Sequence, residues 1–471
     1  MDYLTPDSLR AHKLLQEGTL ALARAEQQGI RVDVEYLEGK RKHLTREIGK
    51  LEKEFIKTNF YKHWEHASKG KVNIYSNAQL SFFLYKIKKF KVEKETVSGQ
   101  GATDEEALQR MNIPELNNLL RIRKLKKVRD TYLEGFMREQ VDGYIHPFFN
   151  LHLVKTYRSS SDHPNFQNIP KRDKEAMNIV RRSLFPRPGH QLLELDYSGL
   201  EVRIAACYHK DKTMLRYIKD PTTDMHGDMA RQLFIIDNFD PDKHPSHYVL
   251  RQAAKNGFVF PEFYGDYYKN CAENMACSWG KLPQQGLWKP GQGIELDKGT
   301  LADHFIDKNI KSLDKFIDHV QVIEKDFWGN RFAQYAKWKE KWYDNYKRKG
   351  KVVMHTGFQC SGAMSRNDVI NYPVQGSAFH CLLWSFIQLD KILAEKGMRS
   401  RLVGQIHDSI LIDVHPNELE DVAKFAYKVT CQDLPKAWDW IIVPLDIEIE
   451  LCPIDSSWAE KEKFEFKYFF V

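Results

Sequence analysis

The stretch Leu192-Leu193-Glu194-Leu195-Asp196-Tyr197-Ser198 places one aspartate at the end of an apolar strand. A second stretch far along the chain, Leu402-Val403-Gly404-Gln405-Ile406-His407-Asp408-Ser409, does the same. An aspartate at a strand end is usually a turn residue, so either one alone indicates little. A pair is what a two-metal phosphoryl-transfer site requires, because shared carboxylates hold two divalent cations about 3.5–4 Å apart.

The composition sets wide limits on the function. The 471 residues suffice for several structural units, and the net charge of +7 permits a polyanionic partner without requiring one. No apolar run approaches the ~18 residues of a membrane span, and the first residues lack a signal pattern. The seven cysteines fit no zinc pattern and are expected as reduced thiols. These features predict a cytoplasmic protein without a membrane partner.

Apolar periodicity predicts helices separated by short strands. Strands are expected at 191–196, 401–406, 409–414 and 443–451, with a tight hairpin at His407-Asp408. Helices are expected over 36–58, 114–137, 245–270, 302–346 and from about 198, with a Gly/Pro-rich loop over 280–293. This order of elements indicates an α+β fold with an antiparallel sheet covered on one face.

The helix predicted at 114–137 has an almost uniformly basic face. It consists of Arg121, Arg123, Lys124, Lys126, Lys127 and Arg129. A charged helix face is most often a solvated surface. Here the single sign of the charge favours contact with nucleic-acid phosphates.

The segment Asp196-Tyr197-Ser198-Gly199-Leu200-Glu201-Val202-Arg203 resembles motif A of the family A DNA polymerases, the bacterial DNA polymerase I type, which runs Asp-Tyr-Ser-Gln-Ile-Glu-Leu-Arg. The resemblance implies that Asp196 binds both metal ions, that the Tyr197 carbonyl adds a ligand, and that Glu201 blocks a sugar 2′-hydroxyl. Ser198 and Glu201 also match a capping box, which is compatible with that role. Downstream, Asp224-Met225-His226 resembles the family's Asp-Ile-His and implies that His226 contacts the incoming triphosphate.

Motif C of the same family is the second strong match. Gln405-Ile406-His407-Asp408 resembles Gln-Val-His-Asp, which implies that Asp408 is the second metal-binding aspartate and that His407 lies by the primer terminus. The family usually has Glu next, whereas this chain has Ser409. That departure puts the help of a third carboxylate in doubt.

Motif B is the least regular match. Arg251 and Lys255 lie four apart, as a phosphate-binding pair on one helix face should. Counting back from Tyr264-Gly265 puts Phe260 at the family's aromatic position, but Lys255 is then one residue too far. The extra residue and Pro261 predict a π-bulge or kink between 256 and 261. The resemblance implies that these residues bind the nucleotide and that Lys255 also neutralises phosphate charge during the reaction. An ordinary amphipathic helix with a broken end is the alternative.

Two further stretches imply contacts with DNA. The segment from Thr156-Tyr157-Arg158 to Asn168-Ile169-Pro170 resembles the family's Thr-Gly-Arg-Leu-Ser-Ser-Ser-Asp-Pro-Asn-Leu-Gln-Asn-Ile-Pro, which implies minor-groove contact for Arg158 and DNA contacts for Asn165 and Asn168. The segment 371–378 resembles Asn-Met-Pro-Val-Gln-Gly-Thr-Ala, which implies a template or primer contact for Gln375.

The resemblance covers roughly residues 10–460 and implies a right-hand polymerase fold with an antiparallel palm sheet, helical fingers and a helical thumb. The expected parts are a lead-in at 1–35, the thumb at 36–150, the palm at 151–215 and 391–471, and the fingers at 216–390. The lead-in is too short for a proofreading exonuclease, so a separate exonuclease or a processivity factor is an expected partner. The compact chain and the irregular motif B favour a phage source and a location in the host cytoplasm.

The implied function is template-directed DNA polymerisation by a nucleotidyltransferase. The partners would be primer–template DNA and deoxynucleoside triphosphates, and the cofactor two Mg²⁺ ions, with Mn²⁺ as a substitute. Three alternatives stay open: a single-subunit RNA polymerase, a non-catalytic nucleic-acid-binding protein on a polymerase fold, and a two-metal nuclease. Glu201 argues against the first, and the retention of both aspartates against the second. The pair Arg251 and Lys255 argues against the third.

Overall fold

The structure is a computed structural model that describes residues 8–92, 95–96, 99–111, 113–171 and 173–465. Its α-helices are α1 Ser8–Gln28, α2 Val34–Phe55, α3 Asn59–Ala67, α4 Asn77–Ser81, α5 Glu105–Arg110, α6 Pro114–Lys127, α7 Glu134–Glu139, α8 Lys174–Arg181, α9 Leu200–His209, α10 Lys212–Lys219, α11 Met225–Phe234, α12 Pro245–Ala254, α13 Phe260–Tyr264, α14 Tyr268–Glu273, α15 Leu301–Asp307, α16 Leu313–Asp326, α17 Ala333–Lys349, α18 Arg366–Glu395, α19 Leu419–Tyr427 and α20 Leu434–Ala437. Segments of π-helix are Phe82–Ile87, Val128–Leu133, Lys255–Val259, Asn274–Trp279, Phe327–Arg331 and Lys428–Asp433.

The strands are β1 Ile30–Val32, β2 Tyr144–Ile145, β3 Phe148–Asn150, β4 Ser160–Asp162, β5 Leu184–Phe185, β6 Gln191–Tyr197, β7 Lys351–Val353, β8 Gln359–Ser361, β9 Arg401–Ile406, β10 Ser409–Val414, β11 Ile447–Leu451 and β12 Glu462–Lys463. The central sheet has the order β12-β11-β6-β10-β9, and its neighbouring strands are antiparallel. The predicted antiparallel sheet and the predicted hairpin of β9 and β10 are therefore confirmed.

One predicted strand starts too early. Residues 443–451 were expected to form it, but β11 begins at Ile447, which pairs with Tyr197 at the end of β6. The chain of β6 turns into α9 just beyond this pair, so the segment before Ile447 has little strand left to pair with. Val443 and Leu445 are nevertheless buried, which explains the apolar alternation in that segment.

Long helices cover the central sheet and anchor it. The helix α18 packs against α1, α9 and β9. The Tyr197 hydroxyl at the end of β6 is 2.7 Å from the Ser385 hydroxyl of α18, and both side chains are buried. Near the start of the described chain, Arg24 of α1 forms an ion pair with Asp390 of α18. This ion pair thus attaches α1 to the long helix that packs against the central sheet.

The predicted helix over 114–137 is observed as α6, a π-helical segment and α7. It packs against α2, so the buried Leu44 and Ile48 share one core with Leu119 and Ile122. Arg110, the last residue of α5, contacts the junction between α14 and the π-helical segment that follows it. It donates to the Asn274 side chain at 2.6 Å and lies 3.4 Å from the Glu273 carboxylate. A cleft is left between α6 and the end of the sheet that carries Asp408.

The predicted irregularity in motif B is confirmed. A π-helical segment, Lys255–Val259, joins α12 to α13, immediately before Pro261. The expected helix over 245–270 ends at Gly265, whose φ of +94° is unfavourable for other residue types, and resumes at Tyr268. Across the described residues, no helix combines the length and the apolar character that a membrane crossing requires.

Candidate active site

The two strand-end aspartates lie at the same end of adjacent strands. Asp196 pairs in register with Ser409, the residue directly after Asp408. The Tyr197 amide donates to the Asp408 carbonyl oxygen at 3.2 Å, which ties the two segments together. His407 has a φ of +52°, and this left-handed conformation makes the tight turn that presents Asp408.

Carboxylates and cations alternate around this pair. Burial and, next, the nearby Glu201 carboxylate together raise the pKa of Asp408 to about 6, against the opposing effect of Arg158. Arg158 Nη2 lies 3.9 Å from Asp408 Oδ1. The Lys171 ammonium donates to Asp196 Oδ2 at 2.8 Å. The raised pKa of Asp408 indicates a buried carboxyl group that has other carboxylates close by.

The donors at this site fit a divalent cation that prefers oxygen ligands. Two carboxylates and the Tyr197 carbonyl are the ligand types that Mg²⁺ takes, and Lys171 shows that a cation can lie against Asp196. In the described ranges, no group of three or more His, Cys, Asp or Glu side chains is placed to hold a metal ion. Ser409 is not a carboxylate and supplies no third acidic ligand. Its hydroxyl instead closes the hairpin by donating to the Ile406 carbonyl oxygen at 2.8 Å.

Glu201 connects three elements beside the aspartates. Its carboxylate accepts a hydrogen bond from the Tyr264 hydroxyl of α13, and Arg158 Nη1 lies 3.3 Å away. The predicted capping box is wrong: α9 begins at Leu200 after Gly199, whose φ is +60°, and in this described segment no side chain caps the helix. Because the helix starts one residue later than the capping box requires, Glu201 points to its tertiary partners instead of the Ser198 amide.

The residues predicted to bind the triphosphate lie together on α11, α12 and the π-helical segment. Arg251 donates two hydrogen bonds to Asp224, at 2.6 and 2.8 Å. The Lys255 ammonium lies 5.4 Å from the centre of the Phe260 ring, and burial and the neighbouring Arg251 lower its pKa. Burial lowers the pKa of His226 to about 4. Its buried Nδ1 atom has no hydrogen-bond partner among the described residues.

The residues predicted to bind DNA line one groove. It has a volume of about 640 Å³ and contains Arg158, Asn165, Asn168, Gln375 and His407. Two side chains attach the 156–170 segment to β9 beneath it: Ser159 donates to Gln405 Oε1 at 2.7 Å, and Gln167 donates to the same oxygen. The structure thus brings all five predicted residues to the edge of the aspartate pair.

A larger cleft of about 970 Å³ runs from Asp408 and Lys171 to the basic face of α6. Carboxylates of neighbouring segments pair with part of that face: Arg121 lies 2.8 Å from Glu47, and Lys124 lies 2.9 Å from Asp173. The predicted contact of α6 with phosphates stays a prediction. The pairing lowers the net positive charge that α6 offers to a polyanion.

Comparison with known proteins identifies the family. Residues 34–460 match the model of DNA polymerase family A, which is most of the chain. The chain belongs to this family. DNA polymerase I of Aquifex aeolicus is 29% identical over 444 residues, which cover 93% of this chain and 66% of the relative. DNA polymerase I of Chloroflexus aurantiacus is 25% identical over 449 residues, 92% of this chain and 41% of the relative. The chain therefore spans less than two thirds of either relative.

A solved structure shows the fold of this family A polymerase chain. The POL domain of Pol1 from M. smegmatis, in complex with DNA primer-template and dNTP, has a TM-score of 0.70 and 22% sequence identity. The match covers 95% of this chain and 70% of that one. The predicted right-hand polymerase fold is confirmed. The roles of individual residues and the boundaries of thumb, palm and fingers stay predictions.

Two charged residues near the site of this family A polymerase chain were missed by sequence reasoning. Lys171 follows the 156–170 segment directly, and its contact with Asp196 has no periodic signal in the sequence. Glu448 lies opposite Asp196 in the β11–β6 register, so both side chains are on one face of the sheet. The clean alternation over 443–451 marks Glu448 as a solvent-facing strand residue, and its partner could be found only from the strand order.

Proposed function

We propose that this chain is a template-directed DNA polymerase that adds deoxynucleotides to a primer 3′-hydroxyl. The proposal rests on one juxtaposition: Asp196 and Asp408 on adjacent strands, beside the Glu201–Tyr264 contact and at the end of a groove lined by the predicted DNA-binding residues. Membership in family A supports the same reaction class. The thumb at 36–150, the fingers at 216–390 and the palm between and after them are part of the proposal.

Asp196, Asp408 and the Tyr197 carbonyl are the residues that would hold two Mg²⁺ ions, and Mn²⁺ is the expected substitute. Family A DNA polymerases are generally dependent on divalent metals. When bound, such ions lower the pKa of an attacking hydroxyl and neutralise charge on the phosphates. Burial and the nearby Glu201 carboxylate raise the pKa of Asp408, and added positive charge would offset both effects, which supports this assignment.

Arg251, Lys255 and His226 are proposed to bind the triphosphate. The lowered pKa of Lys255 arises from burial and from repulsion by Arg251, and a bound polyanion would offset both effects. Asp224 orients Arg251 through two hydrogen bonds, which presents its guanidinium in a fixed direction. The unpaired Nδ1 of His226 is a further polar group available to a phosphate oxygen.

Glu201 is proposed to exclude ribonucleotides. Its carboxylate is held between the Tyr264 hydroxyl and Arg158, so it cannot rotate away without losing both partners. A ribose 2′-hydroxyl placed against Glu201 and Tyr264 would clash with their side-chain atoms. Phe260 and Tyr264 would border the base and the sugar of the same nucleotide.

The groove that contains Arg158, Asn165, Asn168, Gln375 and His407 is proposed to receive the primer–template duplex. Sequence is then read by base pairing, so the protein needs contacts with the backbone and the minor groove and little base-specific readout. The basic face of α6 would add a salt-sensitive contact with the duplex phosphates.

The test is extension of a labelled primer on a DNA template with Mg²⁺, using deoxynucleotides and ribonucleotides separately. The intact protein should extend with deoxynucleotides, Asp408→Asn should fall to background, and Glu201→Ala should gain ribonucleotide use. Glu420→Gln, a control at an exposed carboxylate of α19, should match the intact protein. Tight duplex binding without extension would contradict the enzyme assignment and favour a binding module. Preferred use of ribonucleotides by the intact protein would favour an RNA polymerase.

A further inference from the structure

Lys171 brings a positive charge to the proposed metal-binding aspartates from a loop. Its Nζ atom donates to Asp196 Oδ2 at 2.8 Å. The ammonium is therefore a direct ion-pair partner of Asp196.

A second cation near the aspartates, among the described residues, is committed elsewhere. Arg158 lies 3.3 Å from the Glu201 carboxylate and 3.9 Å from Asp408, so it spans those two residues. The Lys171 side chain is half-exposed, with a relative accessibility of 51% against 27% for Asp196. The ion pair can thus open toward the cleft without disturbing the core. The long, flexible lysine stem allows this, because it holds the ammonium without fixing its position.

We propose that Lys171 is a place-holding cation for Asp196: its ammonium neutralises this carboxylate before a metal ion arrives and must be displaced when one binds. The inference rests on the proposed two-metal function. Lys171 is in this view a positioning residue that sets the charge of the site before metal binding, and not a catalytic residue.

Two opposite effects follow from this place-holding role. The ammonium and a divalent cation compete for the same carboxylate oxygen and repel each other, so removal of the ammonium should tighten metal binding. An exposed ion pair contributes up to about 1 kcal/mol, so the Kd for a divalent ion should fall by about three- to tenfold, the repulsion included. Without metal, the uncovered carboxylates of Asp196 and Asp408 should repel DNA phosphates, so metal-free DNA binding should weaken.

Binding of Mn²⁺ to the full chain, followed by the electron paramagnetic resonance signal of free Mn²⁺, tests the first effect. Lys171→Met should bind Mn²⁺ about three- to tenfold more tightly than the intact protein, whereas Lys171→Arg should remain close to it. Lys174→Met removes an exposed charge three residues away and is the matched control. Asp196→Asn should abolish this binding in either background, which assigns it to the site.

Fluorescence anisotropy of a labelled primer–template duplex in EDTA tests the second effect. Lys171→Met should bind the duplex more weakly than Lys174→Met, although both variants have lost one positive charge. Equal Mn²⁺ affinities for Lys171→Met and the intact protein would overturn the place-holding role while leaving the two-metal site in place. Absence of Mn²⁺ binding in every protein would overturn both. Equal duplex affinities of the two methionine variants would also count against the role of Lys171.

Discussion

Glu262 is a buried carboxyl group in the helix α13, beside a second carboxylate, Glu324. It is 1% exposed. Trp328 Nε1 donates to its Oε2 atom at 2.8 Å, and the Cys271 thiol donates to Oε1 at 3.7 Å. Burial, with a smaller contribution from the Glu324 carboxylate, raises the pKa of Glu262 to about 8 against the opposing hydrogen bond from Trp328. At neutral pH the folded protein therefore holds a proton on Glu262 that the unfolded chain releases.

The sign of the effect on stability follows from this proton. Between the ordinary pKa of 4.5 and the folded value of about 8, the folded state binds more protons than the unfolded chain, so stability falls as pH rises. The slope is about 1.4 kcal/mol per pH unit, or about 4–5 kcal/mol over the whole interval. In Glu262→Gln the amide keeps an acceptor for Trp328 and gains a donor for Glu324, but it has no proton to release.

We therefore expect Glu262→Gln and the intact protein to be similarly stable at pH 5. The variant should gain stability over the intact protein as pH rises, by about 3–4 kcal/mol at pH 8. The measurement is the difference in urea unfolding midpoint between the two proteins at pH 5, 6, 7 and 8, because groups common to both cancel. Glu262→Ala is the control, and it should be less stable than Glu262→Gln at every pH, since Trp328 and Cys271 lose their acceptor. A difference that stays constant with pH would refute the reasoning.

Four further substitutions have calculable outcomes. Gly376→Ala in α18 would place a Cβ atom 2.4 Å from a backbone carbonyl oxygen, and we expect it to lose about 2 kcal/mol or more in urea unfolding. Gly39→Ala in α2 meets open space and should gain about 0.5–1 kcal/mol. Glu194→Gln should lose about 3 kcal/mol in the same assay, because Arg181 stays buried without its charged partner. Arg110→Ala should speed hydrogen exchange in the helical tips that it joins, measured by mass spectrometry.

Matched variants separate these effects from a general loss of charge. Glu450→Gln removes a more exposed carboxylate that shares Lys461 with Glu194, and it should cost less than about 1 kcal/mol. Arg138→Ala removes an exposed arginine from α7 and should leave hydrogen exchange at the tips unchanged. Equal costs for the two glutamate variants, or equal exchange in the two arginine variants, would contradict the assigned contacts.

Local sequence patterns were sufficient to predict an element where residues close together in the sequence determine its backbone geometry. Short apolar runs predicted the strands that carry Asp196 and precede Asp408, and the counting mismatch near Pro261 predicted the π-helical segment. The capping box failed because Glu201 takes a tertiary partner, Tyr264, that lies far along the sequence. A motif that stabilises an isolated helix loses to a contact that the folded chain supplies.

Charge was the property that sequence reasoning judged least well. The basic face of α6 reads as uniformly positive, yet Glu47 and Asp173 from other segments lie against it. Lys171 reads as a loop lysine, yet its ammonium lies on Asp196. Charge pairing between distant segments depends on tertiary placement, so no window of sequence contains it. The roles assigned to the individual site residues await the experiments above.

The amide-to-carbonyl contact between Tyr197 and Asp408 has a mechanical consequence. The distance between the Asp196 and Asp408 backbones is set by the hydrogen bonds between their adjacent strands in the central sheet. It does not depend on the arrangement of the helical regions on either side. Those regions can open, close or accumulate substitutions while the distance between the two aspartate backbones is preserved. Variation in this chain should therefore alter how tightly the proposed substrates are held long before it alters the spacing on which the proposed chemistry depends.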